Sequence, residues 1–165
     1  MWKRTRPRQP WRRRQGGGRA ASRLGAAALA AVLGFAAPAW AAGASLAVSG
    51  AWMRLIIPER PAAGYFTLTN NSGQARNLVG AQSPACGSLM LHRTESGGGV
   101  ERMVMVPSVA VPAHGSITFA PGGYHLMCMK PAASMVHGHS VPVTLKFGDG
   151  ETLSADFPVR NAAGK

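Results

Sequence analysis

Pro121-Gly122-Gly123-Tyr124-His125-Leu126-Met127-Cys128-Met129 places a Pro-Gly-Gly turn just ahead of five residues that hold a histidine, two methionines and a cysteine. Side chains alternate across a strand, so His125, Met127 and Met129 are expected on one face and Leu126 and Cys128 on the other. An imidazole beside two thioethers suits a hydrophobic core poorly. It suits monovalent copper well, since that ion favours soft, polarisable ligands. The segment is therefore expected to form half of a Cu(I) site, completed upstream by His92 and Met103.

The sequence around this strand is β-rich. No helical period holds after residue 43, and short apolar or alternating runs recur between turn signals at about ten-residue spacing. That pattern predicts an all-β sandwich or barrel of about eight or nine strands. Asn70-Asn71-Ser72-Gly73, Ser96-Gly97-Gly98-Gly99 and Gly148-Asp149-Gly150 read as turns. Residues 51–57 read as one strand closed by Pro58, and residues 88–94 as a strand that ends just beyond His92. Val109 and Val111 read as the lead into the turn at Pro112-Ala113-His114-Gly115, and residues 130–140 as a less regular loop.

The charge is unevenly distributed. Lys plus Arg number 18 against Asp plus Glu 6, a formal net charge of +12, yet nine of the basic residues lie between Lys3 and Arg23. The body from Gly43 onward carries only a small positive excess and no basic-aromatic interleaving, which argues against a nucleic-acid partner. The basic stretch is followed by an apolar run over residues 24–37 and by Ala39-Trp40-Ala41, a small-residue cleavage pattern. Residues 1–42 are therefore expected to be a signal peptide cut near Ala41/Ala42, since the run is too short for a spanning helix. Residues 43–165 then form a single domain of a periplasmic product with no stable membrane anchor. Arg12-Arg13-Arg14 leaves the Sec and Tat routes both open.

His92, Met103, His125 and Met127 follow the spacing H-x10-M-x21-H-x-M across three expected strands, with ends that can converge near one rim. Two imidazoles and two thioethers give four neutral ligands, which suit Cu(I) and serve hard cations poorly. This spacing resembles the motif of the periplasmic copper chaperones called PCu(A)C. Residues 51–54, 63–70, 91–94, 111–115 and 121–127 are similar to the family's flanking text. The resemblance implies a cupredoxin-like β-sandwich or Greek-key barrel with an accessible Cu(I) site whose ligands are His92, Met103, His125 and Met127. It also implies delivery of copper to a periplasmic acceptor, such as the CuA centre of an oxidase subunit or another chaperone, in cytochrome c oxidase assembly.

Each residue also has a plainer reading. Met103 alone reads as core filler, and Met90, Met105 and Met129 as packing around the site or as spare ligands. Cys86 and Cys128 admit a disulfide, buried free thiols or metal involvement, and all three stay open. His137-Gly138-His139 is a candidate secondary Cu(II) or Zn2+ contact, with an exposed polar loop the preferred reading. A blue-copper electron carrier is the alternative on the same fold, but it needs a cysteine thiolate among its ligands. No Ser-His-Asp arrangement or carboxylate pair suggests an enzyme.

Overall fold

A computed structural model describes residues 45–165; the signal peptide expected over residues 1–42 lies outside them. Among the described residues there is no helix. Ten strands run in chain order: β1 (Leu46–Arg54), β2 (Ala62–Asn70), β3 (Arg76–Gln82), β4 (Cys86–Gly97), β5 (Val100–Met105), β6 (Val109–Val111), β7 (Gly115–Phe119), β8 (Tyr124–Pro131), β9 (Ser140–Phe147) and β10 (Thr152–Arg160). The expected count of eight or nine is thus corrected to ten. The added strand is β6, whose three residues pair with β3 but are too few to show periodicity in sequence.

The strands form one open mixed sheet in the order β5-β4-β8-β7-β2-β1-β10-β9-β3-β6. A short parallel pairing, Met53 to Val159 and Arg54 to Arg160, joins a six-stranded half to a four-stranded half. Both halves contribute to one hydrophobic cluster, so they fold over a common core. Phe66 of β2 links them: it stacks on Phe119 at 4.4 Å and meets Phe157 of β10 edge-on at 5.7 Å. Burying an aromatic side chain of this kind contributes about 1.5–3 kcal/mol. Alternation is cleanest in β9, where Val141, Val143, Leu145 and Phe147 are buried between more exposed neighbours.

Two local features set up the face that matters for function. In β1, Ser49 pairs with Thr67 but Trp52 pairs with Tyr65, so one extra residue is inserted around Gly50, whose φ is +59°. This bulge reverses the alternation. Leu46 points to the core before it and Met53 after it, leaving Trp52 and Arg54 on the outer face. Residues 55–57, expected to continue this strand, lie beyond it, and Ile56 and Ile57 are exposed. The second feature is the β4–β5 hairpin. Gly98 and Gly99, with φ of +61° and +79°, supply the left-handed pair of a tight two-residue turn and pair Gly97 with Val100.

Candidate metal centre

Register brings the chemistry-bearing residues together. Across β4 and β8, His92 is directly opposite His125 and Met90 opposite Met127. Across β4 and β5, His92 is also opposite Met105, and Thr94 is opposite Met103. Directly paired residues share a sheet face, as do residues two apart on one strand. His92, Met103, His125 and Met127 therefore all lie on the outer face, with Met90 and Met105 beside them. Leu89, Leu91, Leu126 and Cys128 alternate onto the inner face and are buried in the core. His92 does not end its strand as expected: β4 continues to Gly97. Convergence near one rim still follows, because β8 begins at Tyr124 and the hairpin carrying Met103 projects past that end.

The Pro121-Gly122-Gly123 turn orients His125. Its Nδ1 lies 3.1 Å from the Gly123 carbonyl, which also accepts a bond from the Thr94 N–H of β4. With Nδ1–H donated there, Nε2 keeps its lone pair; a backbone carbonyl that fixes the tautomer and ring orientation in this way commonly stands behind a metal-binding histidine. His125 is 3% exposed, and its Nε2 has no hydrogen-bond partner; neither has the buried Nδ1 of His92. The two rings stack with centroids 5.9 Å apart. A buried polar atom left unsatisfied costs about 1–3 kcal/mol, so two in facing rings call for a functional reason.

Burial pushes the His125 pKa below its ordinary value. The hydrogen bond to Gly123 opposes that shift, while the electrostatic influence of His92 and of the Arg54 guanidinium adds to it. The imidazole is thus kept neutral, the form that can donate a lone pair. Arg54 is itself positioned by Tyr65, its guanidinium carbon 5.3 Å from the ring centroid. Arg54, Tyr65, Met103, Gly122, His125 and Met127 line a cleft of about 450 Å3.

The thioethers do not behave as core. Met103 is 59% exposed and Met105 66% exposed, which removes the plainer reading of Met103 as core filler. Met90 and Met127 are half-buried, and Met129 is exposed opposite Ser88. Among the described residues no group of three or more His, Cys, Asp or Glu could hold a metal ion. The donors this face does offer are two imidazoles and several thioethers, and a set of imidazole nitrogens and thioether sulfurs fits a soft monovalent cation.

The remaining sequence candidates fall elsewhere. Cys86 and Cys128 form a disulfide with Cα atoms 5.4 Å apart, which rules out free thiols and cysteine ligation. His137 Nε2 donates to the Leu55 carbonyl at 2.8 Å, so this ring pins its loop to the segment after β1. His139 is exposed, and His114 sits in a turn with φ of 50°.

Residues 46–159 match a protein family described as "Putative lipoprotein LpqE-like". The chain belongs to this family. A relative from Leifsonia xyli subsp. xyli (strain CTCB07), "Putative lipoprotein Lxx21020", is 37% identical over 118 residues, which cover 71% of this chain and 70% of the relative. The solution structure of copper(I)-bound DR1885 from Deinococcus radiodurans is 38% identical with a TM-score of 0.60, covering 75% of this chain and 85% of that one. The copper-bound PCuAC domain from PmoF2, at 19% identity, shares the fold with a TM-score of 0.60, covering 71% of this chain and 93% of that one. The ten-stranded architecture is thus that of the cupredoxin-like PCuAC domains.

Proposed function

We propose that this LpqE-like protein is an exported, periplasmic copper chaperone and not an enzyme. It holds Cu(I) on His92, Met103, His125 and Met127 and passes it to an acceptor, either the CuA site of an oxidase subunit or another chaperone, in cytochrome c oxidase assembly. The observation that carries this reading is the facing pair His92 and His125, each with a buried ring nitrogen that has no partner. Exposed Met103 and half-buried Met127 flank the pair on the same face. The copper(I)-bound state of DR1885, a 38%-identical relative, supports the choice of ion and oxidation state. The basic-then-apolar leader and the lipoprotein names of related chains support export.

Transfer is by ligand exchange. Four neutral ligands leave the bound Cu(I) with its full charge, and Arg54 in the same cleft offers that charge no compensation. An acceptor that presents thiolates or further imidazoles binds the ion better and draws it off. The blue-copper alternative loses its necessary ligand, because both cysteines are in the disulfide.

The test is a Cu(I) titration of the mature protein against a calibrated chelator, for wild type and His92→Ala. One tight, colourless equivalent that is lost in the variant is the expected result. No tight binding, or an intensely blue oxidised form, would overturn the assignment.

A further inference from the structure

The two methionines of β5 stand in different relations to the imidazole pair. Met105 is directly opposite His92, whereas Met103 is opposite Thr94 and only diagonal to His92. Directly opposed Cβ atoms are about 4.5–5.5 Å apart and diagonal ones about 7–8 Å, so the backbone brings Met105 nearer to His92 than Met103. Both thioethers share the site's face, and both are more than half exposed, a costly placement for two apolar side chains side by side. Met103 lines the cleft with His125 and Met127, and Met105 lies outside it, toward solvent. Methionine has no branch and three rotatable bonds, so either sulfur can swing toward a common point.

We infer that Met105 is an alternate copper ligand that exchanges with Met103. This rests on the Cu(I) site proposed above and adds a ligand to it. In the exchange the Cu–S bond to Met103 breaks as the bond to Met105 forms. Copper stays Cu(I), both sulfurs remain neutral thioethers, and no proton moves. The exchange moves the ion from a sulfur that lines the cleft to one outside it while His92 keeps its hold. Cu(I) is then presented to an acceptor from Met105, the more exposed of the two.

The experiment measures Cu(I) affinity by chelator competition for wild type, Met103→Leu, Met105→Leu and the double variant, with X-ray absorption counting sulfur neighbours of copper. Both positions are exposed, so leucine leaves the fold intact, and circular dichroism checks this. Each single variant should lose less than about tenfold in affinity and the double variant more than about a hundredfold, the non-additivity expected of residues that substitute for one another. Met103→Leu should keep two sulfur neighbours. The inference is overturned if Met103→Leu alone loses as much as the double variant and drops to one sulfur. It is equally overturned if the double variant binds like wild type. A wild-type protein with no Cu(I) affinity would instead bring down the site assignment itself.

Discussion

His92 and His125 face each other across β4 and β8 with ring centroids 5.9 Å apart and planes 29° from parallel. Both lie on neighbouring strands anchored by the core beneath, so the gap between the rings is set by sheet geometry rather than by side-chain freedom. A cation reaching the unpartnered nitrogens of imidazoles held in this way would meet donors that need little reorganisation.

Removing one ring separates binding from folding. His125 loses a bond to Gly123 on substitution but also sheds a buried nitrogen that nothing satisfies. Gain and loss are each on the order of 1 kcal/mol and opposite in sign. His125→Leu is therefore predicted to lower Cu(I) affinity by at least about a hundredfold while keeping the urea-unfolding free energy of the metal-free protein within about 1 kcal/mol of wild type. Unfolding of the variant would show that the residue's role is structural, and copper affinity retained would remove His125 from the centre.

Acid should act through the same side chain. The folded-state pKa of His125 lies below the ordinary value of 6.5, so the unfolded chain takes up a proton at a higher pH than the native one. Stability associated with this group is complete above pH 6.5 and declines as pH falls from there through the folded pKa. Melting temperatures of the metal-free protein across this range should drop more steeply for wild type than for His125→Leu. Parallel curves would count against a neutral buried imidazole.

The disulfide closes a sequence separation of 42 residues between β4 and β8, the two strands that carry the histidines. A loop of that size corresponds to about 4 kcal/mol of stabilisation in the chain-entropy view. Cys86→Ala/Cys128→Ala is predicted to unfold at markedly lower urea concentration, by roughly 3–4 kcal/mol in free energy. An unchanged midpoint would mean that strand pairing alone fixes this part of the sheet.

Oxidation offers a map of the thioethers. Met103 and Met105 are open to solvent, and Met53 and Met135 are buried. Dilute peroxide on the metal-free protein should convert the first pair to sulfoxide well before the second, as read by peptide mass spectrometry. Cu(I) affinity should fall by at least about tenfold in step with them, because a sulfoxide is no longer a soft donor. Modification at both sites with no change in affinity would remove β5 from the centre.

Much of this could be read in the residues. The alternation of Leu126 and Cys128 against His125 and Met127 follows directly from strand geometry, and the turns at Asn70–Gly73 and Gly148–Gly150 are strong chemical signals. Register was harder. Ser96-Gly97-Gly98-Gly99 admits more than one tight turn: centred on Gly97-Gly98 it pairs His92 with Met103, and centred on Gly98-Gly99, as observed, it pairs His92 with Met105. Both keep the same face inward, so hydrophobic patterning does not choose between them. The bulge at Gly50 was hidden for a related reason, since its single extra residue inverts the alternation of β1 without disturbing composition. The orphaned nitrogens of His92 and His125 depend on which atoms from distant strands happen to surround them, and no local pattern encodes that.

The Cys86–Cys128 bond also has a chemical consequence for affinity. The sequence contains two cysteines, and oxidation consumes both. A free thiolate able to reach the outer face would outbid any thioether for Cu(I). Locked to each other on the core side of the sheet, the sulfurs offer no thiolate to any ion on the outer face. Under the proposed role the grip on Cu(I) is therefore capped at what imidazoles and thioethers supply, and an acceptor with thiolates lies downhill.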